Sequence, residues 1–162
     1  MADVSDDAIE IRVPCKPEYV RTVRRTIADF AKSINMPRAA VEEVEIAASE
    51  AVANIVRHAY TDTNCKIPPV RVKCFHTGDS LTVEVIDKGR GFAAPPTGVI
   101  PEIDMNRDGG MGIILMKLLM DNVNYTSRPS GGTRIRMTKS ARQAVRSATR
   151  MHAARLKKGQ AL

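Results

Sequence analysis

The sequence predicts an α/β fold built as a two-layer sandwich: a mixed, mostly antiparallel sheet with its helices on one face. Three observations predict it. Five short stretches alternate apolar and polar residues like half-buried strands, and four of them form two pairs joined by tight turns, which makes those pairs antiparallel. Two long segments with helical spacing of apolar residues lie between the first strand and the first pair. Neither glycine cluster opens a strand–helix–strand crossover, so a doubly wound nucleotide fold is not expected.

The elements follow in order. "AIEIRVP" (Ala8 to Pro14) alternates and is stopped by Pro14. From Pro17 to Ser33 the positions Val20, Val23, Ile27 and Phe30, followed by Ile34, mark one face of a helix, with Arg21, Arg24 and Arg25 on its outer side. A second helix starts afresh. Asn35 can cap it, Pro37 suits its first turn, and Glu42, Glu43 and Glu45 suit the positive end of its dipole. Its core face is Val41, Val44, Ala48, Val52, Ile55 and Ala59.

"DTNCKIPP" reads as a loop. "VRVKCFH" (Val70 to His76) and "SLTVEVID" (Ser80 to Asp87), joined by "TGD", read as a hairpin. A stretch rich in Gly and Pro, "KGRGFAAPPTGVIPEIDMNRDGG", follows without a clear period, and so long a connection belongs to function or to disorder. "MGIILMKLLMDNV" is apolar almost all round and predicts a buried helix. "VNYTS" and "TRIRMTK" form the last pair around "RPSGG".

Length and composition narrow the function classes. With 162 residues, 43% hydrophobic and 27% charged, the chain is expected to be one soluble globular domain with a core of its own. Aromatic residues make up 4% with no Trp, which counts against stacking platforms for single-stranded nucleic acid. The acidic start "MADVSDDAIEIRV" lacks an apolar signal segment, and the run Met111 to Met116 is too short to span a bilayer. Cys15, Cys65 and Cys74 have no CxxC spacing, so neither a disulfide framework nor a zinc site is expected, and a cytoplasmic location fits. The net charge of +7 resides in the seven basic residues from Lys139 onward, where no acidic residue occurs. The chain therefore divides into a domain over 1–138 and a basic, helix-permissive tail over 139–162. The tail has no aromatic ring and matches no nucleic-acid module, so no direct nucleic-acid partner is expected.

Three segments can carry chemistry. In "EAVANIVRHAY", Glu50, Asn54 and His58 recur every four residues beside the apolar face of the second helix. An Asn there can give Mg²⁺ an oxygen ligand, and a Glu one turn earlier can take a proton from a hydroxyl. "DKGRGF" puts Asp87 at a strand end, able to accept from an amino group, with Gly89 and Gly91 allowing close backbone approach. "DGGMG" (Asp108 to Gly112) opens a helix and leaves N–H groups free for phosphate. Each also has a bland explanation: Glu and Asn four apart are common surface neighbours, and glycines serve ordinary turns or a flexible helix start. Walker A and the dinucleotide fingerprint are both absent.

In this order, and with these elements between them, the segments resemble a known family. "EAVANIVRHAY" looks like the N-box, "DKGRGF" and "GGMGI" like the two Gly boxes, and "GGT" (Gly131 to Thr133) like the last element of the Bergerat ATP-binding fold. The size and the ending "MGIILMKLLMDNVNY…GGTRIRM" resemble the bacterial anti-sigma factor serine-protein kinases, over roughly residues 8–138.

The resemblance implies ATP and Mg²⁺ as cofactors. It implies Asn54 as the Mg²⁺ ligand, Glu50 as the general base toward a serine hydroxyl, and Asp87 as acceptor for the adenine amino group. Gly89 and Gly91 would shape the adenine pocket, Gly109, Gly110 and Gly112 the lid over the phosphates, and Thr133 would sit near the adenine. The implied partners are a sigma factor and a STAS-like anti-sigma factor antagonist, with homodimers common, no membrane, and Arg21, Arg24 and Arg25 as candidate contacts. No motif fixes the cation that stabilises the transferred phosphate; Lys88, Arg90 and Arg107 are candidates. The alternative is a non-catalytic switch module in which bound ATP only sets the grip on a partner. A histidine-kinase-like catalytic module is weaker, because no domain carrying a phospho-acceptor His precedes the ATP site.

Overall fold

A computed structural model of the protein describes residues 7–59, 67–91 and 111–142. Strand β1 (Ala8–Val13) leads through a 3-10 turn at Pro17–Tyr19 into helix α1 (Val20–Ser33) and then α2 (Arg38–His58). The hairpin β2 (Val70–Thr77) and β3 (Ser80–Ile86) follows, then α3 (Met111–Leu119), β4 (Asn122–Ser127) and β5 (Thr133–Ser140). The strands form one sheet in the order β1-β2-β3-β5-β4, and all four pairings are antiparallel. The helices pack on one face: α1 against β1 and β2, α2 against β3 and β5, and α3 against α2 and β4.

Period decides which residues go inside. Along β2 the buried positions are Val70, Val72 and Cys74; opposite them β3 contributes Leu81, Val83 and Val85, and β5 contributes Ile135 and Met137. α1 buries Val23, Ile27, Ala28 and Ala31, and the whole expected core face of α2 is buried with Ala40, Ala47 and Ala51 added. Those extra alanines allow α2 to lie close to the sheet and to both neighbouring helices. The opposite face of the sheet is polar. There Glu84 pairs across the strands with Lys73 and Arg136, and Arg136 stacks 5.5 Å from the Phe75 ring centroid.

The start of α2 differs from expectation. Asn35 does not cap it; it takes a left-handed backbone (φ 58) in the turn after α1. Pro37 occupies the N-cap position with ψ 143, no side chain caps the helix, and its first turn holds no acid. Glu42 instead pairs with Arg38 at 2.8 Å, and Glu43 turns toward the sheet, where it meets Lys139.

α3 also differs, since it is not buried all round. Gly112, Ile114 and Met116 are buried, but Met111 is 54% and Leu118 64% exposed, because only one side of the helix meets α2. Lys139, grouped by charge with the basic tail, lies in β5 and is buried. No helix among the described residues is long and apolar enough to cross a membrane. Cys15 and Cys74 carry free thiols, and burial pushes the Cys74 thiol up to about 12.

Candidate functional site

The site lies at the end of the sheet where β3 stops, α2 ends and α3 begins. Its floor is Asp87, the residue after β3, which is 2% exposed. Both of its carboxylate oxygens are held by backbone: Oδ1 accepts from the Gly89 amide at 2.6 Å and Oδ2 from the Thr133 amide at 3.1 Å. The Asp87 amide in turn donates to the Thr133 carbonyl at 3.0 Å. These three bonds fix the carboxylate on β3 against the first residue of β5. A carboxylate has about four lone-pair sites, so it retains acceptor capacity toward the cavity that it lines.

The turn before β5 makes this approach possible. Gly131 and Gly132 both have positive φ (83 and 86). A β-carbon on Gly132 would overlap the Asp87 carbonyl, so only glycine lets the two chains cross there. Arg128 tightens the same turn: its amide donates to the Gly132 carbonyl at 3.0 Å and its guanidinium reaches the Asp87 carbonyl at 3.4 Å. Gly89 crosses the end of α2 as closely, with no room for a side chain beside the Ala59 carbonyl, to which Arg90 donates at 3.1 Å.

Above Asp87 is a cavity of about 280 Å³. Ile55, Ala59, Ile113 and Ile135 give it apolar walls, Tyr125 and Thr133 close one side, and Asn54, His58, Arg90 and Gly91 line the rest. Apolar walls with one fixed carboxylate suit a heterocycle bearing an amino group. Burial pushes the Tyr125 hydroxyl up to about 12, so the ring enters this wall uncharged.

Glu50 and Asn54 stand one turn apart on α2, both half-buried. Gly112, in the first turn of α3, is packed directly on them. A β-carbon at Gly112 would sit 2.5 Å from Glu50 Oε2 and 3.4 Å from both Asn54 side-chain polar atoms. Thus the glycine of the third segment fits onto the polar stripe of the first. Among the described residues no three His, Cys, Asp or Glu side chains gather as a metal cage. Asn54 lines the cavity and offers a carboxamide oxygen, the kind of hard ligand that Mg²⁺ takes beside water and phosphate oxygens.

The structure brings together Glu50, Asn54, Asp87, Gly89, Gly91, Gly112 and Thr133. Gly109, Gly110 and Arg107 lie outside the described residues. Thr133 contributes its backbone amide to Asp87 as well as a side chain to the wall. Of the cationic candidates, Arg90 lines the cavity. His58 is exposed at the cavity mouth rather than packed inward. Sequence reasoning missed Ile113, Tyr125 and Ile135. A signal for two of them exists, since Ile135 shares a strand face with Thr133 and its cross-strand partner is Tyr125.

Comparison with known proteins identifies the family. The family model for the histidine kinase-like ATPase domain matches residues 13–139. A Bacillus velezensis protein named serine-protein kinase RsbW is 37% identical over 142 residues, covering 83% of this chain and 86% of its own. RsbW from Bacillus pumilus is 34% identical, covering 82% and 85% respectively. RsbW from Staphylococcus aureus is 33% identical, covering 83% and 87%. The crystal structure of the RsbU and RsbW domains of Rv1364c from Mycobacterium tuberculosis superimposes with a TM-score of 0.61 at 21% identity. It covers 83% of this chain, which spans 32% of that longer one, and it speaks to the fold alone. On its motif order, its fold and its likeness to relatives matched over most of their length, the chain belongs to the RsbW serine-protein kinases of the histidine kinase-like ATPase family.

Proposed function

We propose that the protein is an ATP- and Mg²⁺-dependent serine-protein kinase acting as an anti-sigma factor. In this reading it phosphorylates a STAS-like antagonist on serine and, in its other state, sequesters a sigma factor. The observation that carries it is the fixed Asp87 carboxylate at the base of an apolar cavity whose other rim is the α2 seam with Asn54, one turn after Glu50. Asp87 would accept from the amino group of adenine, which a guanine carbonyl at that position could not satisfy. Asn54 would hold Mg²⁺ and Glu50 would receive the proton of the serine hydroxyl. Bound Mg·ATP supplies the transferable phosphoryl group and most of the positive charge that its transfer requires. Arg90, on the cavity wall, is the chain's own described candidate for adding to that charge.

The exposed basic side of α1, with Arg21, Arg24 and Arg25, fits the partner contact. The same reading extends to a cytoplasmic homodimer.

The test uses the full chain, Mg·ATP and the antagonist encoded in a neighbouring reading frame. Mass spectrometry is expected to find phosphoserine on the antagonist. Glu50→Gln is expected to reduce that rate by about 100-fold or more while ATP still binds. If nucleotide binds and no phosphoserine forms with the unaltered protein, the kinase reading is wrong and the switch module replaces it. Native mass spectrometry of the same sample is expected to give twice 17.7 kDa; a monomer alone removes the dimer.

A further inference from the structure

Lys139 is the last inward-facing residue of β5 and lies at the opposite end of α3 from the nucleotide cavity. It is 6% exposed, which is unusual for a lysine and requires partners. Three surround its ammonium. Glu43 Oε2 of α2 is 2.5 Å away, Asp121 Oδ1 is 3.6 Å away, and the carbonyl of Leu119, the last residue of α3, accepts from it at 2.7 Å. Asp121 is itself fixed, since its Oδ2 accepts from the Ser140 amide at 2.6 Å and its own amide donates to Thr138 at 2.9 Å. One cation thus ties α2, the C-terminal carbonyl end of α3 and the end of β5 together. A positive charge at that end of a helix also complements its dipole.

The spacing matters for the site. Glu43 and Glu50 are seven residues apart on α2; Leu119 and Gly112 are seven apart on α3. Seven residues rise about 10.5 Å on either helix. The helices therefore run antiparallel with matched contacts at both ends: Lys139 joins Glu43 to Leu119, and Gly112 rests on Glu50 and Asn54. A slip of α3 by one residue would bring the larger side chain of Met111 or Ile113 to the place of Gly112 and displace the Glu50 carboxylate.

We propose that Lys139, with Glu43 and Asp121, is a positioning cluster that sets the register of α3 on α2 and so keeps the Glu50–Asn54 seam in working geometry. The adenine end of the site takes Ile113 as its wall residue from α3 and otherwise depends on the cluster less. Asp87 and Thr133 are held by backbone bonds between β3 and β5, in which α3 takes no part. The cluster therefore affects the phosphoryl-transfer step more than nucleotide capture. Its effect on rate rests on the kinase reading, whereas its effect on α3 does not.

The test is Lys139→Met in the full chain, with Lys139→Arg as the charge-preserving control and thermal unfolding to confirm folding at the assay temperature. Hydrogen exchange is expected to speed up about tenfold at the α3 amides while β3 amides keep their protection. With the neighbouring antagonist as substrate, kcat is expected to fall about tenfold and the KM for ATP to stay within about threefold, with Lys139→Arg recovering most of the rate. Unchanged α3 exchange in the folded variant overturns the proposal, as does loss of protection spread equally over β3 and α3. Should Lys139→Met not fold, Glu43→Gln removes one arm of the cluster and is judged by the same comparison of α3 with β3. If the unaltered protein shows no phosphotransfer, the kinase reading fails, and the exchange comparison still decides the cluster.

Discussion

Gly112 shows how much one missing side chain can decide. Its hydrogen leaves the volume that Glu50 Oε2 occupies, and any larger residue must move a carboxylate that sits at the far end of a flexible side chain. Gly112→Ala is therefore expected to retain the fold, and helix propensity even favours Ala in α3 by about 1 kcal/mol. The displaced carboxylate would lose its position relative to Asn54. Single-turnover phosphorylation of the antagonist is expected to slow by about 100-fold, with the melting temperature within a few degrees of the parent. A variant that folds and transfers phosphate at the parental rate would show that the close contact has no bearing on the proposed base. Asp87 works differently, because its backbone partners hold it from both sides and leave its cavity side for a ligand.

At the scale of elements, the site depends on the turn before β5. Gly131 and Gly132, both at positive φ, let the β4–β5 connection pass against the Asp87 carbonyl. In Gly132→Ala the new methyl would meet that carbonyl and the backbone would be held in a conformation that alanine disfavours. The expected cost is about 3 kcal/mol of folding stability, read by urea unfolding. Nucleotide affinity is expected to fall further than the stability loss explains, because the carbonyl that must move belongs to Asp87, the residue proposed to bind the base. Affinity unchanged in the folded fraction would separate the turn from the site. The pairing of α2 with α3 is the other element-scale device. It places a glycine on the polar seam at one end and a buried lysine on two carboxylates at the other.

For the whole molecule, two groups inside the helix–sheet layer resist ionisation. Burial raises the Cys74 thiol from its ordinary 9.0 to about 12, and the Tyr125 hydroxyl from 10.0 to about 12. In each case the folded state holds its proton more tightly than the unfolded chain does. Stability is therefore complete below about pH 9 and is lost as pH rises from 9 toward 12. At pH 10.5, Cys74 alone is expected to lower the unfolding free energy by about 2 kcal/mol relative to pH 8. Urea titrations of the parent and of Cys74→Val check this. Between pH 8 and 10.5 the parent should lose about 2 kcal/mol relative to the variant, and a constant gap between the curves would contradict the assignment.

Much of this protein was legible in the chain alone, because period and punctuation are local. Alternation located the five strands of the described residues, helical spacing located α1 and α2, and the polar positions of "EAVANIVRHAY" marked the seam that carries Glu50 and Asn54. The order of the glycine-bearing segments identified the family without any contact being known. Local signals said less where partners come from far along the chain. Asn35 has the chemistry of a cap, but the turn after α1 takes it into a left-handed conformation. Lys139 has the look of a tail residue, but β5 carries it inward to meet Glu43. Only the tertiary structure set Thr133 on Asp87, 46 residues apart, Gly112 on Glu50, and Tyr125 and Ile135 as cavity wall. The physical reason is range: backbone preference and side-chain period act over a few residues, whereas a site is built from distances across packed elements.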